Sequence, residues 1–145
     1  MAFNLLLTLW RFIFTKRPKM YILNIKTISE ANCSEHWTIR KKRHDIQKRQ
    51  VKYFWLINKP KITHPCTIKL TRLGKRKLDS ANLPMSMKYV QDAIAILIFP
   101  EKIIYVTTKS GKKYINPGRA DDDDLITWQY DQEISENYGV KLEIF

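Results

Sequence analysis

Leu83, Met87, Val90, Ile94 and Leu97 recur at spacings of 4, 3, 4 and 3, and no other feature constrains the fold so tightly. That spacing puts the five apolar side chains on one stripe of a helix, and a stripe that apolar has to be covered. The chain supplies alternating, β-rich segments to cover it. "YILNIKT" (21–27) reads as a first strand, and "CTIKLTRL" (66–73) as a second, with Ile68 and Leu70 on one face and Lys69 and Thr71 on the other. "KIIYVTTKSGKKYI" (102–115) reads as a hairpin around Ser110–Gly111, "LITWQYDQEI" as a further strand and "GVKLEIF" as the last. From Cys33 to about Tyr53 the chain is charged and free of Gly and Pro, which predicts another helix, with Ser34 as its N-cap and Trp37, Ile46 and Tyr53 as core contacts. For the striped helix, Asn82 is the expected cap, and Pro84 is tolerated in the first turn. The order β-α-β-α-ββ-β-β over 145 residues, 44% of them hydrophobic, predicts one α+β domain: a small mixed β-sheet packed with two main helices.

Charge separates along the chain. Residues 1–78 hold 19 Lys and Arg against 3 Asp and Glu, a balance of +16, while residues 79–145 hold 7 against 11, a balance of −4. The total of +12 and a pI near 9.8 point to an anionic partner. A basic half joined to an acidic half suits a protein that grips a polyanion and gathers cations. Taken alone, the same pattern is also that of a solvated basic helix beside an acidic loop.

The first 14 residues, "MAFNLLLTLWRFIF", are apolar but too few to span a bilayer, and Arg11 interrupts them. Their positive charge follows the apolar run instead of preceding it, unlike a secretory signal. Residues 1–19 read as an extension, either an accessory helix or upstream sequence ahead of a natural start at Met20, and the domain proper as 20–145. Cys33 and Cys66 form no metal or disulfide spacing and read as free thiols in the cytosol; His36, His44 and His64 are scattered.

Acidic chemistry concentrates at two places. Asp79 follows a strand and precedes a helix start, where the backbone favours anions, and four aspartates run together at 121–124. Either alone is an ordinary cap or solvated loop. Together with their flanks, "EANCSEHW", "KLDSANL", "MKYVQDAI" and "GRADDDDLITWQYDQE" followed by "VKLEIF", they make residues 21–145 similar to the RusA-type crossover junction endodeoxyribonucleases. That family carries Asp-x-Asp-Asn at the strand end, a Lys on the following helix and a paired-Asp motif before a hydrophobic strand. Two departures stand out. The hairpin at 102–115 is longer than the family's connection, and Ala81 stands where the family has its second Asp. Ala81 is either a natural loss of activity or an inactivating substitution; the intact Asp79, Asn82, Lys88 and Asp run favour the latter.

The resemblance implies a homodimer that cuts four-way DNA junctions with Mg²⁺, or Mn²⁺ in its place, and that is inactive with Ala81. Asp79, Asp121 and Asp122 would hold the metal, with Asp124 a further candidate. Asp79, position 81, Asp122 and Lys88 would form the catalytic set, with Lys88 on the scissile phosphate. An extended backbone at 79–81 would turn both side chains to one face. Arg40, Lys41, Lys42, Arg43, Lys48 and Arg49, with Arg72, Lys75, Arg76 and Lys77, would contact phosphates without reading sequence. A four-way junction has near two-fold symmetry, which a C2 dimer matches with identical sites. No membrane partner is expected. The second reading is a basic nucleic-acid-binding protein without chemistry, for which Ala81 is the best support. Composition also permits an RNA-associated factor, but no motif supports one.

Overall fold

The structure is a computed structural model that describes residues 18–31, 33–102, 104–116 and 120–145. The extension expected over residues 1–19 falls almost wholly outside these residues. Six strands and two main helices follow one another as β1 (Lys19–Leu23), α1 (Trp37–Asn58), β2 (Cys66–Gly74), α2 (Asn82–Ile98), β3 (Ile104–Thr107), β4 (Lys113–Asn116), β5 (Ile126–Ile134) and β6 (Gly139–Ile144). Four strands make a mixed sheet in the order β1-β6-β2-β5, with β5 parallel to β2 and the other pairs antiparallel. β3 and β4 form a separate antiparallel pair. The molecule is thus α+β, with the element order that the sequence predicts.

The striped helix does what its spacing demands. Leu83, Met87, Val90 and Ile94 of α2 are buried, and Leu97 packs against the core at its edge. They meet Ile68 and Leu70 of β2, Leu142 of β6 and Val51 of α1, all fully enclosed. Replacing Met87, which has no exposure at all, by Ala should cost about 2–5 kcal/mol through lost transfer energy and a residual cavity. Tyr53→Ala, at a side chain 61% exposed, should change stability by no more than about 0.5 kcal/mol. Denaturant titrations of the two variants check both values; equal losses would mean that α1 buries a different face.

Several local expectations need correction. α1 starts at Trp37 instead of Cys33 and is capped by His36, whose Nδ1 accepts from the Thr38 N–H at 3.4 Å; Ser34 is no cap. Residues before the helix are held by Arg43, which ties Glu30 and Glu35 to it. Trp37, Ile46 and Tyr53 are exposed, because the inward positions of α1 are Gln47 and Val51 with Phe54 and Trp55 beside them. The helix ends at Lys59, in a left-handed conformation (φ 40°) with its N–H donated to the Trp55 carbonyl, just before Pro60.

β1 stops at Leu23 because the next carbonyls turn to the helix. Gln50 Nε2 donates to Asn24 O and Gln47 Nε2 to Lys26 O, each at 2.9 Å. Ile25 and Thr27 are nevertheless buried. In β2, Thr71 is buried rather than solvated, because β2 is an inner strand flanked by β5 and β6. The sheet face away from the helices is polar, with Lys69 paired to Asp131 at 3.0 Å and Lys141 to Glu133 at 2.5 Å.

Candidate functional site

β2 leaves the sheet at Gly74, and the chain makes a basic turn through Lys75, Arg76 and Lys77. It is then pinned by a reciprocal pair: Leu78 N–H donates to Gln132 Oε1, and Gln132 Nε2 donates to Leu78 O, both at 2.8 Å. This clamp on β5 fixes where Asp79 stands. The Asp79 carboxylate then starts α2: Oδ1 accepts from the Asn82 N–H at 2.8 Å, and Oδ2 from Asn82 Nδ2 at 2.6 Å. Asp79, not Asn82, is therefore the side chain that caps the helix. Asn82 Oδ1 accepts from Ser29 Oγ at 2.9 Å, which ties the loop after β1 to the same point.

Further along α2, Lys88 reaches two carboxylates. Its Nζ lies 2.9 Å from Asp92 Oδ1, one turn on, and is paired with Asp121 from the far side of the hairpin. Asp121 sits in a short 3-10 turn (Ala120–Asp122) anchored by buried Ala120 and by Trp128, whose indole N–H donates to Asp121 O at 2.9 Å. Lys88 and Asp121 line an open cleft of about 530 Å³. Its rim carries Glu30, Arg40, Lys88, Asp121 and Asp122, and deeper in it Tyr130 Oη donates to Gln91 Oε1 at 2.5 Å.

Electrostatics in the cleft are those of a cation shared by acids. Burial disfavours the Lys88 ammonium, but the hydrogen bonds it donates to Asp121 and Asp92 outweigh this and hold the pKa far above the usual lysine value. For Asp92 the balance is the reverse: burial pushes its carboxyl up, and Lys88 offsets only part of that. Burial likewise raises the Tyr130 phenol.

The sequence-predicted residues divide into three groups. Lys88, Asp121 and Asp122 come together in the cleft, and Arg40 lines it. Asp79 stands beside it, linked through Asn82 and Ser29 to the loop that carries Glu30. Asp124 is exposed, whereas Asp123 is paired with Lys102 and accepts from the Leu125 N–H, contacts that hold its carboxyl below the usual range. Ala81 is exposed, with φ −75° and ψ −37°; residues 80–81 form a turn into the helix instead of an extended segment. In helical geometry, side chains two apart diverge, so positions 79 and 81 do not share a face.

The donor set does not fit a divalent cation as it stands. Ala81 offers no oxygen, both oxygens of Asp79 accept from Asn82, and Asp121 is already paired with an ammonium. Among the described residues no group of three or more His, Cys, Asp or Glu is placed to hold a metal ion.

Of the basic residues, Lys42, Lys48, Arg49, Lys75, Arg76 and Lys77 are exposed. Lys41 is exposed but paired with Asp45 at 2.9 Å. Two others are placed differently from the expectation. Arg72 is only 6% exposed; its Nη1 donates to Arg76 O at 2.7 Å, and burial lowers its pKa, so it supports the turn after β2 instead of meeting a phosphate. Arg43 is held between Glu30 and Glu35, at 2.9 and 2.7 Å.

Sequence reasoning missed Asp92, Glu30, Gln91 and Tyr130. Asp92 had a readable cue, four residues after a helical Lys. Glu30 had none, because its partners Arg43 and His44 are brought to it only by folding. Burial pushes the Glu30 carboxyl up, yet the hydrogen bonds from Arg43 and His44 overcome this and leave it below the ordinary 4.5. Its folded value is depressed, so its contribution is complete above about 4.5 and is lost as pH falls through the folded value. Glu30→Gln should therefore lower stability by about 1–3 kcal/mol at pH 7, and the gap should narrow as the pH is taken below the ordinary carboxylate range. Thermal unfolding across that acid range checks this; a gap that is unchanged at low pH would show that the charge is not what matters.

Comparison of the chain with protein-family models, with curated proteins and with solved structures finds no match. No helix among the described residues is long and apolar enough to cross a membrane.

Proposed function

We propose that this chain binds branched DNA, and that it is laid out as a structure-selective endonuclease for four-way junctions that is inactive with Ala81. The observation that carries this reading is the meeting of Lys88 and Asp121, 33 residues apart, in an open cleft with Arg40 on its rim and the basic helix α1 beside it. A Lys with carboxylates in such a cleft is a usual set for phosphodiester chemistry, and exposed cations on α1 and in the 75–77 turn suit the phosphates on either side. Two identical sites in a homodimer would match the near two-fold symmetry of the junction.

This chain's own residues have definable parts. Arg40, Lys48 and the 75–77 turn bind and orient the phosphates. Lys88 exchanges a carboxylate for a phosphate oxygen, which keeps an anion against its ammonium. No hydrolytic step is assigned, since the donor set does not fit a metal. In the alternative reading the chain binds nucleic acid and has no latent chemistry. It is favoured by the acids that already serve the fold, Asp79 as a cap and Asp121 and Asp92 on Lys88. A gel-shift titration of labelled four-way junction against linear duplex, in EDTA, tests the binding claim: the junction should bind more tightly without being cut, and equal affinity for the two would count against it.

A further inference from the structure

The β3–β4 hairpin belongs to neither the core nor the cleft, and it is the element that departs most from the resemblance noted above. It forms its own two-stranded sheet, with Ile104, Tyr105 and Tyr114 exposed, Tyr105 by 75%. Aromatics exposed on both strands of a ribbon outside the main sheet call for a partner. Its charge says which kind: residues 102–120 hold Lys102, Lys109, Lys112, Lys113 and Arg119 and no acid.

We infer that this hairpin is a nucleic-acid wedge, whose two tyrosines stack on bases exposed at a branch point while its lysines hold the flanking phosphates. The inference rests on the DNA-binding reading above and adds to it the feature that prefers branched to linear DNA. Register supplies the geometry. Tyr105 pairs with Ile115 and Tyr114 with Val106 on the next rung, and neighbouring rungs face opposite ways. One tyrosine therefore stands on each face of the ribbon. Linear duplex has no open base faces along its length, whereas a branch point exposes terminal pairs on either side of its centre. A ribbon with a ring on each face fits between two such pairs, and stacking on an aromatic ring is tolerant of sequence.

Its placement is consistent with this role. Lys102, just before β3, is paired with Asp123, which follows the Asp121 and Asp122 that line the cleft, so the base of the hairpin is tied to the edge of the site. Each strand of four residues extends about 13 Å, at roughly 3.3 Å per residue. The tip is ordered by its own bonds: Thr108 N–H donates to Lys112 O at 2.8 Å, Lys112 N–H to Thr108 Oγ1 at 3.1 Å, and Gly111 takes the positive φ of 78° that the turn requires.

The test uses the full chain and a four-way junction carrying 2-aminopurine beside the branch point, with linear duplex of the same sequence as control. Unchanged protein should alter the 2-aminopurine fluorescence and favour the junction. Tyr105→Ala with Tyr114→Ala should lose the fluorescence change and bind the junction about tenfold more weakly or worse, with duplex affinity little altered. The Phe replacements should restore both. Lys109→Ala, Lys112→Ala and Lys113→Ala together should make the salt slope shallower by about 3 without abolishing the fluorescence change. The substituted side chains are exposed, and matching thermal unfolding confirms intact folds. If the Ala pair binds both DNAs and perturbs 2-aminopurine like the unchanged chain, the wedge is wrong although DNA binding stands. If the Ala pair instead changes only the oligomeric state in sedimentation, the hairpin meets a second copy and the inference is overturned. Absence of DNA binding by the unchanged chain removes the functional reading and the wedge with it.

Discussion

Raising NaCl from 50 to 200 mM should weaken junction binding by about three orders of magnitude or more. The estimate comes from counting cations that can meet a phosphate. Arg40, Lys42, Lys48, Arg49, Lys75, Arg76 and Lys77 are not buried and lie outside the ion pairs described above, and proteins that make about 6–10 phosphate contacts lose roughly 10³–10⁵ in affinity over that range. These seven should contribute about −6 to the slope of log K against log salt, at about 0.9 per contact, and the three hairpin lysines about −3 more. Arg40→Ala with Lys48→Ala should flatten the slope by about 2 and weaken binding to all sequences alike, because such contacts position DNA without reading it. Arg43→Ala should behave differently. Its guanidinium joins Glu30 and Glu35 beneath the helix, so its loss should lower stability and leave the slope nearly unchanged. Salt-independent affinity, or an Arg43 variant that flattens the slope like the others, would show that a different surface meets DNA.

What the sequence revealed and what it hid follow one physical division. The α2 stripe was legible because Leu83, Met87, Val90 and Ile94 face a single layer of sheet, so periodicity maps directly onto burial. The hairpin was legible because Ser110–Gly111 supplies the positive φ of a tight turn. α1 was legible as a helix, but its inward face was not, because polar Gln47 and Arg43 are bonded to Lys26 O and to Glu30 while Trp37, Ile46 and Tyr53 point out. Apolar periodicity carries no information about a helix face that is satisfied by polar partners distant in sequence. The site was half legible. Lys88, Asp121 and Asp122 could be named from local pattern, and the cleft brings them together. The conformation at 79–81 could not. "LDSAN" permits an extended strand end or a helical turn, and the choice is made by the Asp79–Asn82 hydrogen bonds and the Gln132 clamp on Leu78.

The restored site should show the largest effect of all. Position 81 is exposed, so Ala81→Asp has no packing to disturb and should change stability by no more than about 0.5 kcal/mol. The new carboxylate lies at the start of α2, where the helix dipole favours negative charge. Because positions 79 and 81 do not share a face, a shared cation would require the 80–81 turn to open, Asp79 to give up its Asn82 bonds and Asp121 to give up Lys88. A metal held by carboxylates supplies several kcal/mol to phosphodiester cleavage, which corresponds to three or more orders of magnitude in rate.

The decisive measurement is a cleavage assay on a labelled four-way junction, with Mg²⁺ or with EDTA, comparing the unchanged chain, Ala81→Asp, and Ala81→Asp carrying Asp79→Asn. The account predicts paired symmetric nicks from Ala81→Asp in Mg²⁺, and none from the unchanged chain, from the double variant or in EDTA. No cleavage by Ala81→Asp across a range of Mg²⁺ and Mn²⁺ would contradict the latent nuclease and leave a protein that binds DNA without acting on it.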